Sequence, residues 1–223
     1  MLFDSNYLII MAVGLVLGLV TQSWIKASYR KWSQVPLATG KSGAEVARAM
    51  LDENGLRDVR IEQIGGLLSD NYDPRSRVLN LSSDVYNGRS VAAAGVAAHE
   101  AGHAVQHARG YAPAAARLAL VPMANIGSQL SWLLIMAGFL LRMGGLVTIG
   151  AWVFGGAVLF QIVTLPVELD ASHRAAATLS AGLPSEQAAG ARSVLNAAAM
   201  TYVAAALVAI MQFAYFLGLS RRS

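Results

Sequence analysis

The sequence predicts a mainly α integral membrane protein, with about four transmembrane helices and a small α+β membrane-proximal domain. Three observations lead there. Only 13% of residues are charged, 55% are apolar and mean hydropathy is +0.48, which is about half the charge of an ordinary soluble domain. Four stretches, Tyr7–Ile25, Leu118–Leu141, Gly144–Val167 and Ala197–Leu219, each supply the roughly 20 apolar residues that cross a ~30 Å hydrocarbon layer. Between the first two lies a segment of different character, which holds 12 of the 17 Lys and Arg, from Lys26 to Arg117.

The first stretch reads as an uncleaved anchor. No small-residue cleavage site follows it, and Trp24, Lys26 and Arg30 mark a membrane interface. Gly14 and Gly18 form a GxxxG, suited to a dimer seam or to packing against the chain's own helices. In the polar domain, Ser42 to Glu53 has amphipathic helical spacing and Gly55 stops it. Val59–Ile64 and Val78–Leu81 alternate apolar and polar residues as short strands do, with the turn-rich Ser69–Pro74 between them. Ser90 is an N-cap for an alanine-rich helix over Val91–Ala108, ended by Gly110 and Pro113. Gly95 and Gly102 weaken that helix by about 1 kcal/mol each relative to Ala, so close packing or a close-approaching substrate has to account for them. The strand before this helix offers an open edge for an extended peptide, or simply covers the helix.

Asn125, Ser128 and Gln129 fall inside the second span, where they line a cavity or hydrogen-bond between helices. Arg142-Met143-Gly144-Gly145 is a tight connection, so the second and third spans form a hairpin. Residues after Val167 therefore return to the side of the Val91–Ala108 helix. The expected division is an anchor (1–25), a polar domain (26–117), a transmembrane hairpin (118–167), a polar segment (168–196) and a last span (197–223).

The basic net charge of +4 does not indicate nucleic acid. The cations are mixed with acids and lack aromatic interleaving, the pattern of a domain on the positively biased face of a bilayer. The chain has no cysteine, hence no disulfide and no thiolate ligand.

His99-Glu100-Ala101-Gly102-His103 carries the chemistry. Residues four apart share a helix face, so the two imidazoles converge on one point, and Glu100 reaches a water held there. Hydrolytic zinc sites keep three protein ligands. His107, His173 and the acids compete for the third place, except Asp4, which lies across the membrane. His107 falls one turn further along the face, as a supporting partner, an added ligand or a packed side chain. The segment Leu165–Ala176 starts where the hairpin emerges and concentrates Glu168, Asp170, His173 and Arg174, charges that are costly beside a bilayer unless paired or ligated. On a helix Glu168 and Ser172 share a face, while Asp170 points about 200° away, towards a bond with a ligating histidine.

Three separated motifs, HEAGHAVQH at 99–107, YDPRSRVLNLS followed by SDVY at 72–86, and VELDASHRA at 167–175, together resemble the neutral zinc metallopeptidases of the YugP-like type, which are multi-pass membrane proteins. The chain also resembles, more distantly, membrane zinc proteases of the prenyl-protein and heat-shock type. Those carry a glutamate ligand after a transmembrane hairpin, followed by small residues and an Arg. The resemblance implies a zincin-like polar domain, one Zn2+ per chain on His99, His103 and Glu168, and Glu100 as the base. Asn71 departs from the pattern, since the family often carries His before Tyr-Asp-Pro.

The expected activity is hydrolysis of membrane-associated or membrane-proximal polypeptides, with endopeptidase cleavage. Arg174 or His173 donates to the oxyanion. The alternative is a non-catalytic, zinc-stabilised membrane scaffold, and a further rival is a channel lined by Gln129, Gln161 and Gln212. The partners expected are a polypeptide substrate and the lipid bilayer, with no nucleic acid. Lys26, Arg30 and Lys31 place the polar domain in the cytoplasm of a multi-pass cell-membrane protein. Four spans then put Arg221 and Arg222 outside, against that rule.

Overall fold

Asp4 caps the first helix by accepting from the backbone N–H of Tyr7 at 3.0 Å. The structure, a computed structural model, describes residues 4–66 and 69–220. In chain order the elements are α1 (Ser5–Ser33), α2 (Gly43–Glu53), β1 (Arg60–Ile64), β2 (Asn71–Asp73), β3 (Val78–Ser82), α3 (Ser83–Tyr86), α4 (Val91–Ala108), α5 (Ala112–Leu140), α6 (Gly144–Gly182) and α7 (Ser185–Ser220). Helices α1, α5, α6 and α7 are long and apolar enough to cross a membrane. Only 6% of the most apolar stretch of α1 is buried against the rest of the chain, so lipid has to cover its Leu and Ile side chains. Arg221 and Arg222 lie outside the described residues.

The long helices run well past the apolar stretches. At 1.5 Å per residue the 39 residues of α6 measure roughly 58 Å, almost twice a ~30 Å hydrocarbon layer. Residues 168–182 and 185–196 are thus continuations of α6 and α7. They meet at Leu183, whose backbone is extended (φ −120°, ψ 154°) as the residue before Pro184 requires. The α5–α6 connection is as tight as the sequence implies, with Arg142 in the left-handed region at φ 54°. Close approach of these two helices needs glycine: a Cβ on Gly138 would sit 2.8 Å from the Val147 backbone nitrogen.

In the polar domain a capping box starts α2, with Ser42 and Glu45 satisfying each other's backbone N–H groups. The sheet order is β1-β3-β2, with β1 parallel and β2 antiparallel to β3. Two sequence expectations need correction. Asn71–Asp73 is a strand rather than part of a turn, because pairing with Val78–Asn80 outweighs its turn-forming composition. The turn lies at Pro74–Arg77, where Asp73 accepts from Arg75 N–H and Ser76 Oγ and Arg77 adopts φ 55°. The strand before α4, namely β3, is the middle strand and so has no open edge. The terminal strands are β1 and β2.

Polar groups within the spans behave differently from expectation as well. Ser128 donates to Asn125 O (3.3 Å) within α5 rather than to another helix, and Asn125, Ser128 and Gln129 are all exposed. Gln212 donates to Met11 Sδ on α1 (3.7 Å). Of the GxxxG pair, Gly14 faces Val208 of α7, and Gly18 has open space around it.

Helix α4 runs through the core of the polar domain, with Ala97, Ala98 and Ala101 fully buried. Its two glycines do different work. A Cβ on Gly102 would lie 2.9 Å from Ala171 O and 3.2 Å from Ala171 Cα, so α4 and α6 pack backbone to backbone. A Cβ on Gly95 would meet Ala191 at an ordinary 3.7 Å. Gly95→Ala should therefore raise stability by up to about 1 kcal/mol, through helix propensity. Gly102→Ala should lower it, because the ~1–3 kcal/mol of overpacking against an immobile backbone exceeds that gain. Thermal unfolding of both variants in detergent checks the contrast, and equal shifts would refute it.

Candidate metal centre

The site is built where α4 crosses α6. Ser90 caps α4 by accepting from Ala93 N–H (3.2 Å), and the helix brings His99 and His103 together with ring centroids 4.7 Å apart, edge to face. The Gly102–Ala171 contact sets α6 against this face, and Glu168 lies one turn before that contact. Its Oε2 stands 3.2 Å from His99 Nε2 and 3.7 Å from His103 Nε2. One ligand atom from each of the three residues lies within 4.8 Å of the others. Glu168 is only 2% exposed.

The opposite ring nitrogens are held by other partners. Ser172, on the Glu168 face of α6 as helical spacing expects, places Oγ 3.1 Å from His99 Nδ1. Gln106 serves His103. Its amide nitrogen donates to Val167 O (2.7 Å) and Asp170 Oδ2 (2.8 Å), so its oxygen faces His103 Nδ1 at 3.0 Å as an acceptor. That sets Nδ1 as the protonated nitrogen of the neutral ring and leaves Nε2 facing Glu168. The direct bond from Asp170 to a ligating histidine that the sequence suggests is not formed among the described residues; Asp170 holds Gln106, which in turn faces His103.

The remaining candidates occupy distinct places. Glu100 is half-buried, next to His99, and makes no hydrogen bond or ion pair among the described residues. Arg174 is tied through Nε to Asp170 (2.7 Å), and His173 is exposed. His107 stands outside the cluster, exposed, with Nδ1 2.9 Å from the Tyr72 hydroxyl. Asn71 braces the β2–β3 hairpin, donating to Ser69 O and accepting from Asn80.

Sequence reasoning passed over two residues, Gln106 and Arg117. Gln106 follows His103 by three positions, so helical neighbour spacing pointed to it. Arg117 donates through Nη1 to Glu168 Oε1 at 2.9 Å, and nothing in the local sequence linked it to a residue 51 positions away.

Two imidazoles and a buried carboxylate are a zinc-type donor set, with both Nδ1 atoms already engaged and one oxygen aimed between the rings. The residues present thus fit a zinc ion. Burial alone pushes the His103 imidazole down. The Glu168 carboxylate, with help from Glu100 and the Gln106 amide, outweighs this and holds the group above its ordinary value.

Comparison with known proteins agrees with this chemistry. The chain matches the family described as "putative neutral zinc metallopeptidase" over residues 7–221. It is 43% identical over 212 residues to the "putative membrane protease YugP" of Bacillus subtilis (strain 168), covering 94% of this chain and 93% of that protein. No solved structure matches it. The chain belongs to this neutral zinc metallopeptidase family.

A pH dependence follows from the raised His103 pKa. The protonated His103–Glu168 pair stabilises the metal-free fold below the unfolded-state pKa of His, and that contribution is lost as pH rises through the folded value. A ligating imidazole must be neutral, so a metal ion displaces this proton. Apparent zinc affinity should fall about tenfold per pH unit for each proton displaced, once pH drops below the His103 pKa. Calorimetric titration across about pH 5.5–8, in two buffers of different ionisation enthalpy, reads both slope and proton release. An affinity independent of pH would remove His103 from the ligand set.

Proposed function

We propose that this family member is a zinc-dependent endopeptidase that hydrolyses membrane-associated or membrane-proximal polypeptides, with one zinc per chain on His99, His103 and Glu168. The observation that carries the reading is the convergence of both Nε2 atoms on Oε2 of a buried glutamate, with Glu100 following His99 on α4, half-buried and without a hydrogen bond or ion pair among the described residues. Zinc held there supplies a Lewis acid and lowers the pKa of a coordinated water to about 7.

The protein's own groups supply the rest. Glu100 takes a proton from the attacking water and passes it to the leaving amine. Ser172 and Gln106 hold the two rings, so the ligand set need not reorganise as charge develops on the scissile carbonyl. Arg174 and His173 are the donors for that developing oxyanion. Arg174 is the better held, through Asp170, while His173 is the more accessible.

Substrate geometry is supported by the sheet. β2 is a terminal strand, and its Tyr72 reaches His107 one turn past His103, so β2 lies against the end of α4 that follows the site. An extended polypeptide adds to such an edge through backbone hydrogen bonds. Glu168 follows directly on the apolar stretch of α6, which favours substrates at the membrane surface. The cytoplasmic placement of the site rests on the positive excess at Lys26, Arg30 and Lys31.

Two measurements test these readings. Glu100→Gln should retain one zinc per chain and lose proteolysis by about 10²–10⁴-fold, the usual worth of a positioned base. Metal content and cleavage of a membrane-tethered polypeptide in proteoliposomes check it, and undiminished cleavage would sink the hydrolase mechanism. The chain has no cysteine, so a single cysteine at exposed Asp52 should react with an impermeant maleimide only in inside-out vesicles. Labelling in right-side-out vesicles would reverse the orientation.

A further inference from the structure

The two oxygens of Glu168 live in different environments. Oε2 faces the imidazoles, at 3.2 Å from His99 Nε2 and 3.7 Å from His103 Nε2. Oε1 accepts from Arg117 Nη1 at 2.9 Å. The Glu168 side chain is 3% exposed and that of Arg117 is 32%, so the pair is sealed at the carboxylate and reaches solvent at the guanidinium.

Two nearby donors, Arg174 and Gln106, are engaged elsewhere. Arg174 is paired with Asp170. Gln106 spends its amide nitrogen on Val167 O and Asp170. Among the described residues, Arg117 is the only permanent cation bonded to Glu168. It also comes from a third element, the first turns of α5, whereas the ligands come from α4 and α6.

A carboxylate can bind a metal through one oxygen or through both. A charge-assisted N–H at 2.9 Å fixes the oxygen that it holds. Zinc with two imidazoles and a one-oxygen glutamate has three protein donors and keeps a position for water or a substrate carbonyl. A glutamate that swings its second oxygen onto the metal takes that position up. We propose that Arg117 is a positioning residue: by holding Oε1 it restricts Glu168 to a single donor oxygen, Oε2, and so keeps the metal accessible to substrate. The inference rests on the zinc reading above.

Cobalt(II) loading of the full-length protein in detergent tests both and tells them apart. The wild type should take up one cobalt per chain, with the intense visible bands of low coordination number. Its metal-minus-apo infrared difference spectrum should show the wide carboxylate stretch separation of one-oxygen ligation. Arg117→Met should still bind cobalt but lose visible band intensity, with the carboxylate separation narrowing. Arg117→Lys, which keeps a cationic donor for Oε1, should restore the wild-type spectra. Arg117→Met with unchanged spectra would overturn the inference and leave the zinc reading standing. A narrow separation in the wild type would overturn it even if Arg117→Met fails to fold. Absence of metal uptake in the wild type would overturn both.

Discussion

A carboxylate buried to 2% exposure at the foot of a membrane span costs several kcal/mol unless its charge is answered. The architecture around Glu168 reads as that answer. Two imidazoles from α4 face one oxygen and a guanidinium from α5 holds the other. Both rings are themselves anchored. Ser172 and Gln106 hold the rings, and Gln106 is anchored by Val167 O and by Asp170, which is paired with Arg174. These bonds tie residues of α4, α5 and α6 to one buried carboxylate, so the network binds the three helices into one unit.

That network closes only because the helices approach closely. Alanines of α4 fill the core, and Gly102 lets its backbone lie against α6. Small residues therefore do two jobs here, forming a dry core and bringing side chains 69 positions apart within hydrogen-bond reach. The length of α6 does the remainder. A helix that stopped at the membrane surface would present Glu168 on a frayed last turn. Continuing to Gly182, it presents Glu168, Ala171 and Ser172 on a rigid rod.

Much of this was legible beforehand, for identifiable reasons. Local spacing determines which side chains share a helix face, so the His99–His103 pair, the Glu168–Ser172 face and the Ser90 cap could be read directly. Charge beside a span is expensive, which marks Leu165–Ala176 in the sequence alone. Pairing between distant segments left no such trace. Asn71-Tyr72-Asp73 has turn composition and becomes a strand only because β3 offers it an edge. Arg117 looked like one more cation on the positive face, and its partner 51 residues later is set by how the hairpin returns. The sequence also suggested a break after Val167, because polarity changes there, whereas the helical backbone continues without regard to polarity.

The same network bears on whether such a site works or merely holds the fold together. A structural zinc is closed by four protein ligands, while a catalytic one keeps a position open. Three donors converge here, and the residues that could close the set are engaged elsewhere. Asp170 is committed to Gln106 and Arg174, and His107 to Tyr72. Glu100 stands beside His99 with no structural bond to keep it there among the described residues. A scaffold gains nothing from half-burying an acid that makes no hydrogen bond or ion pair among the described residues. A hydrolase needs that acid, because a carboxylate held near the metal and free of other partners is able to accept the proton of the attacking water. The cost of keeping Glu100 unpaired is intelligible as part of a reaction and unexplained as part of a scaffold.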